Sequence, residues 1–159
     1  MDNFLQQFCQ QLINGVSLGS IYALIALGYT MIYGIIKLIN FAHGDIYMIG
    51  AYFGFFATTQ LGVGFIPAII IAMAGAAVVG IIIERIAYRP MRNAPRIAIL
   101  ITAIGVSFFL EYGMILLVSP QPRTFPAVFA PTVYHMGPLV ANSQQLVILI
   151  SALILMVTL

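Results

Sequence analysis

The chain has 159 residues, of which 62% are hydrophobic and 6% are charged. A soluble domain carries about a quarter charged residues because it must cover itself with a solvated surface, so this composition predicts that lipid surrounds most of the chain. The net charge of +2 is too small to indicate a nucleic-acid partner. The one cysteine, Cys9, excludes an internal disulfide and a cysteine-rich metal site.

Long uncharged runs predict the membrane-spanning helices, each of which needs about 20 apolar residues. Two glycines and Pro67 divide the longest run. The predicted helices are Leu12–Ile36, Ile46–Leu61, Ile66–Ile83, Ile97–Val118 and a fifth from Gln144 to the end of the sequence. The predicted fold class is therefore all-α, a polytopic transmembrane helix bundle of about five spans in a single permease domain over residues 1–159. Because the fifth apolar run is too short to cross a bilayer, we expect this domain to be incomplete at its C-terminus.

The arginines predict the orientation in the membrane. Between the third and fourth helices lies a basic loop with Arg85, Arg89, Arg92 and Arg96. Basic loops face the cytoplasm, so the N-terminus and the proline-rich segment 119–143 are predicted to lie outside. The basic loop needs no other explanation than topology, and a docking surface for a cytoplasmic partner is the alternative.

Small residues at a spacing of four predict close packing of three helices. Gly15 and Gly19 lie in the first, Gly50 and Gly54 in the second, and Gly80 follows two alanines at this spacing in the third. Each repeat alone is a weak signal, and the three together indicate a tight bundle.

The segment Asn40–Asp45 carries the strongest functional signal. The predicted second helix is short for a span, so Asn40, His43, Gly44 and Asp45 are candidates for an irregular element at membrane depth beside a transport path. The alternative is a short cytoplasmic turn in which Asp45 favours the start of a helix. No second histidine or cysteine lies at ligand spacing from His43, so no metal site is predicted.

Glu111 is the one carboxyl within an apolar span. An ionisable group at that depth is a candidate for the substrate pathway. The alternative is a buried structural acid, neutral or bonded to Tyr112 or another hydroxyl near the outer interface.

Three segments resemble the branched-chain amino-acid ABC permeases, in the order in which that family has them. They are Leu12–Leu24, Ile39–Tyr52 and Glu84–Arg92, and the likeness is greatest to the first of the two permease subunits of the high-affinity system. The resemblance implies a bacterial inner-membrane importer of leucine, isoleucine and valine. Its implied partners are a second permease, two ATP-binding subunits and a periplasmic amino-acid-binding protein. It implies no cofactor on this chain, with ATP bound and hydrolysed by partner subunits, and the chain has no phosphate-binding glycine loop.

Other functions stay open at this point. Relatives in the same superfamily transport other amino acids, urea or short amides, and a membrane assembly fragment that transports nothing is a further alternative. An intramembrane enzyme would need a nucleophile, a base and an orienting group at one place, and the sequence shows no such set.

Overall fold

The protein is described by a computed structural model that covers residues 2–37, 39–126, 133–136 and 139–158. Helices dominate it, with a short antiparallel hairpin, β1 (Val133–Met136) and β2 (Leu139–Asn142), before the last helix. The α-helices are α1 (Asp2–Ile36), α2 (His43–Thr59), α3 (Phe65–Ile83), α4 (Arg96–Val118) and α5 (Ser143–Thr158).

The predicted all-α transmembrane class is confirmed. Within the described residues, three helical segments are long and apolar enough to cross a membrane, namely Phe4–Gly34, Phe65–Met91 and Arg96–Val118. The other two helices, α2 with 17 residues and α5 with 16, are shorter than these. The hairpin was not predicted, because its strands of four residues lie in a segment whose prolines indicated only a loop.

Three helices extend beyond their predicted bounds. The second, α2, begins at His43 rather than Ile46, so His43, Gly44 and Asp45 are helical and the irregular element predicted over Asn40–Asp45 ends at Ala42. The first begins at Asp2 rather than Leu12, because glutamines are good helix formers and no glycine or proline interrupts residues 2–11. After α3 the chain continues as a π-helical turn, Glu84–Tyr88, and a 3₁₀ turn, Arg89–Met91. Arg85 and Arg89 are thus helical rather than part of a loop, and Arg96 is the first residue of α4.

The predicted break between the second and third helices is present. Gly62 adopts a positive φ of 63°, which glycine tolerates without steric cost. Pro67 lies in the first turn of α3, where a backbone N–H has no helical partner to lose.

Residue contacts divide the chain into two units. The unit comprising residues 33–128 contains α2, α3, the two irregular turns and α4. Its closest packing is between α2 and α3, where Gly50 and Gly54 are buried against Ala76 and Ala72. A Cβ added to Gly50 would lie 3.2 Å from the Ala76 Cβ, so the two backbones approach closely because both faces carry small residues.

The other unit comprises residues 1–32 and 129–159. In it the Gln10 side chain pairs with the backbone of Val140 in β2, donating from Nε2 to the carbonyl at 2.8 Å and accepting from the amide at 2.9 Å. Gln145 of α5 donates to Asn14 of α1 at 3.0 Å. The side-chain amides of Gln10 and Gln145 thus provide hydrogen-bond partners for the Val140 backbone and the Asn14 side chain.

Candidate functional site

The chain between α1 and α2 is irregular, and its polar side chains are held by distant parts of the same unit. The Asn40 Oδ1 accepts from the Tyr88 hydroxyl at 2.6 Å and from the Ala42 backbone amide at 3.1 Å. Its backbone carbonyl accepts from the His43 amide at 3.2 Å. Asn40 therefore joins the start of α2 to the π-helical turn that follows α3.

Asp45 makes a second long-range contact, because its carboxylate accepts a hydrogen bond from the Ser107 hydroxyl of α4. Asp45 is in the first turn of α2, where the helix dipole also favours a negative charge. A hydrogen bond to a charged group is among the stronger ones, and it keeps the carboxylate from being buried without a partner.

The position of Ser107 gives the depth of this contact. Ser107 is the central residue of α4, which runs from Arg96 to Val118 and is itself a candidate membrane span. At 1.5 Å rise per residue, Ser107 lies about 16 Å from either end of the helix. Both side chains are short, so the first turn of α2 lies level with the middle of α4.

The second half of this segment, His43–Asp45, forms the first turn of α2. His43 and Asp45 are half-buried, and Gly44 is exposed with nothing within 4 Å of where a Cβ would lie. Among the described residues, no group of three His, Cys, Asp or Glu side chains converges as metal ligands would. The arrangement is a polar junction at the start of α2.

Glu111 lies one helical turn beyond Ser107 on α4 and is exposed in this chain. It forms neither a hydrogen bond nor an ion pair with the residues that the structure describes, Tyr112 included. The structure thus differs from the buried, hydrogen-bonded acid that was one of the two sequence interpretations.

The four arginines lie together near the end of α3 and the start of α4. All four are exposed, and Arg92 pairs with Glu84 at 2.8 Å. The ion pair spans the π-helical turn, where an extra residue per turn bulges the helix.

The glycines predicted to pack helices fall into two groups. Gly50 and Gly54 lie against α3, whereas nothing described lies within 4 Å of a Cβ added to Gly15, Gly19 or Gly80. Gly75, which was not singled out, is more tightly packed than Gly50 and Gly54, because an added Cβ would lie 2.5 Å from the Phe53 ring.

Sequence reasoning also missed Tyr88 and Ser107, the partners of Asn40 and Asp45. They are separated from those residues by 48 and 62 positions, so no local spacing indicates the contacts. For Ser107 the available signal was a hydroxyl at the centre of a mostly apolar helix.

Comparison with known proteins gives one consistent result. The family model of the branched-chain amino acid transport system permease component matches residues 11–159. The high-affinity branched-chain amino acid transport system permease protein LivH of Salmonella typhimurium is 50% identical over 134 residues, and that of Escherichia coli K12 is 48% identical over 134 residues. Each of these alignments covers 77% of this chain and 42% of the relative.

BraD of Pseudomonas aeruginosa, named as a permease protein of the same kind of system, is 45% identical over 132 residues, covering 78% of this chain and 43% of the relative. No solved structure gives a significant match. The chain spans about two-fifths of the length of the curated relatives that it matches. With a family match over residues 11–159, the chain belongs to the branched-chain amino acid transport system permease family.

Proposed function

We propose that this chain is part of the permease subunit of an ABC importer that moves leucine, isoleucine and valine across the bacterial inner membrane. The observation that carries the proposal is the family match over residues 11–159, with relatives named as high-affinity branched-chain amino acid permeases. The chain contributes a membrane path, and it is not an enzyme.

The Asn40–Asp45 segment is the proposed lining of that path. The backbone of this segment is irregular only as far as Ala42, because α2 begins at His43, so its polar side chains carry the proposal. Polar side chains at membrane depth are tolerated where they face protein or a water-filled cavity. Asn40 and Asp45 are clamped to Tyr88 and Ser107, so we assign these two residues to holding the junction in place. We place His43 and Gly44, in the first turn of α2, beside the path of the solute.

Glu111 is a second polar residue on α4, one turn beyond Ser107 toward the C-terminal end of the helix. A carboxyl exposed on a membrane helix is costly against lipid, so in the assembled importer it faces water, substrate or another polypeptide. We place it on the substrate pathway, one turn beyond the Asp45–Ser107 contact.

The partners in this proposal are a second permease subunit, two ATP-binding subunits and a periplasmic amino-acid-binding protein. ATP is bound by the partner subunits, and this chain holds no cofactor. The arginine-bearing turns after α3 lie on the cytoplasmic side, because basic segments are retained there, and the N-terminus is periplasmic.

Uptake of labelled solutes tests the proposal. The gene as it stands in its genome, expressed with the neighbouring transport genes in a cell that lacks branched-chain uptake, should restore accumulation of leucine but not of urea. Urea uptake alone would assign the chain to a different substrate class, and no uptake of either by an assembled complex would refute a transport role.

Variants of the junction sharpen this test. Asn40→Ala should lower leucine uptake at least tenfold, because it releases Tyr88 and the turn before α2 together. Asn93→Ala is the matched control, since Asn93 is exposed in the turn before α4. Equal uptake by the two variants, at equal membrane levels, would contradict the role given to the junction.

A further inference from the structure

The end of α3 and the π-helical turn after it share one exposed face, on which two arginines lie. Four bulky apolar side chains of this face are between 49% and 74% exposed, those of Val78, Ile81, Ile82 and Ile86. Arg85 and Arg89 are exposed on the same face, because residues three and four apart lie one above another on a helix. We call these six residues the arginine face.

The opposite side of α3 is the one that packs within the protein. Its small residues Ala72 and Ala76 lie against glycines of α2, and Ile83 on the same side is only 7% exposed. Small residues let transmembrane helices approach closely, whereas the arginine face carries branched side chains. This difference favours lipid, rather than a further closely packed helix, as the neighbour of the arginine face.

The two arginines lie at the depth of the lipid headgroups. The candidate span that contains them runs over 27 residues from Phe65 to Met91. At 1.5 Å rise per residue, Arg85 lies about 30 Å from Phe65 and Arg89 about 36 Å, whereas the hydrocarbon core is about 30 Å thick. The apolar side chains before Arg85 therefore contact acyl chains, and the guanidinium groups reach the phosphate layer.

The positive charge at this end of α3 exceeds what the chain itself neutralises. Residues 84–96 contain four arginines and one acid, Glu84. Glu84 is already paired with Arg92 at 2.8 Å. Within the described part of the chain, neither Arg85 nor Arg89 forms an ion pair. Their guanidinium groups are forked donors, and this geometry suits the oxygens of a phosphate.

We propose that the arginine face is a binding site for an anionic phospholipid of the leaflet at this end of the span. The lipid phosphate accepts hydrogen bonds from Arg85 and Arg89, and an acyl chain lies along Val78 and Ile82. The lipid is then a bound component of the permease. The site goes beyond the proposed function, because it does not depend on which solute is transported.

Other neighbours match only part of this face. Phosphatidylcholine carries a cation beside its phosphate, and that cation is repelled by the two guanidinium groups. An acidic surface of a soluble partner would pair with the arginines, but it cannot cover side chains that lie within the hydrocarbon. An anionic phospholipid supplies both a phosphate without a neighbouring cation and the acyl chains.

Fluorescence quenching by brominated lipids measures which lipid occupies the face. The complete permease complex, with its native cysteines replaced, carries a bimane label at Ile82→Cys and is reconstituted in mixtures of phosphatidylglycerol and phosphatidylcholine, one of them brominated on its acyl chains. Phosphatidylglycerol should be preferred at this position by about fivefold or more, the ratio expected of one basic residue beside an anionic headgroup. Ile70→Cys is the control, since Ile70 is 62% exposed near the other end of α3, and there the two lipids should quench equally.

Arginine variants identify the charges that hold the lipid. Arg85→Gln should reduce the preference at position 82 by about half or more. Arg96→Gln removes the same charge from α4, outside the arginine face, and should leave the preference unchanged. If the arginine variants do not insert, the unmodified arginines are tested in about 1 M salt, where the Debye length is about 3 Å and the preference should fall toward one.

Three results would overturn the site. The first is equal quenching by the two lipids at position 82, and the second is the same preference at positions 82 and 70, which would reflect only the net charge of the complex. The third is no quenching by either lipid at position 82, which would show that protein covers the face. None of these measurements involves solute uptake, so the site can fail while the proposed importer stands.

Discussion

The contact between Gly75 and Phe53 gives a quantitative test of the packing of α2 on α3. A Cβ at position 75 would lie 2.5 Å from Cδ2 and 2.8 Å from Cγ of the Phe53 ring. Carbon atoms pack best at about 3.5–4.0 Å, so Gly75→Ala is about 1 Å too close. The Cγ atom joins the ring to Cβ, so a small rotation of the ring does not relieve the contact with it. Either Phe53 must adopt another rotamer or α2 and α3 must move apart.

The magnitude follows from two opposing effects. Overpacking of this kind costs about 1–3 kcal/mol, whereas replacing glycine by alanine within a helix gains about 0.5–1 kcal/mol. Gly80→Ala in the same helix has the gain without the clash, because nothing lies within 4 Å of its added Cβ. The two variants should therefore differ by about 1–3 kcal/mol, or roughly 2–4 °C in melting temperature for each kcal/mol.

Thermal unfolding in detergent, followed by circular dichroism, measures this difference. Gly75→Ala should melt below the unmodified protein or at most equal to it, and clearly below Gly80→Ala. In a Phe53→Ala background the Gly75→Ala penalty should vanish, because the ring is gone. Equal melting of the two alanine variants, or a penalty that persists without the ring, would refute this packing.

Two further predictions concern the junction and the topology. Ser107→Ala should destabilise the protein by about 1–3 kcal/mol because it leaves the Asp45 carboxylate without its partner. Thr102→Ala is the control, since the Thr102 hydroxyl bonds only within α4, and it should lower the melting temperature in detergent much less. A larger loss for Thr102→Ala than for Ser107→Ala would contradict the contact. Reporter fusions after Arg92 and Thr124, which flank α4, should report opposite sides of the membrane, with Arg92 in the cytoplasm, and identical signals would contradict the predicted span.

The fold class could be predicted because membrane insertion depends on composition and length. Ten charged residues in 159 are too few to cover a soluble surface, which leaves a membrane bundle as the fold class. Glycine and proline mark the turn at Gly62–Pro67. The start of α1 was wrong by ten residues because the glutamines between Asp2 and Leu12 are polar but helix-forming. The π-helical continuation after Ile83 was missed because no sequence pattern distinguishes it from an α-helix that ends.

The candidate site could be located but not assembled from the sequence. The segment Asn40–Asp45 could be found because it is polar in an otherwise apolar stretch, and polarity is read from the residues themselves without knowledge of their contacts. The bonds to Tyr88 and Ser107 depend on how α3 and α4 pack beside α2, and tertiary contacts of this kind leave no periodic signal. The role of Gly75 depends equally on the placement of one ring on a neighbouring helix.

The depth of the Asn40–Asp45 segment tests the central claim most directly. A spin label can be attached at Gly44→Cys, where nothing lies within 4 Å of an added Cβ. Its depth in the membrane is measured by relaxation with oxygen and a nickel chelate. The reference depths come from labels at exposed positions near the start, middle and far end of α4, namely Ile97, Phe108 and Leu116. The label at position 44 should lie within about 5 Å of the depth of the Phe108 label, roughly three residues of helical rise, and should also be reached by the chelate. A depth equal to that of the Ile97 label, at the membrane surface, would show that the segment is an ordinary turn and would contradict the account.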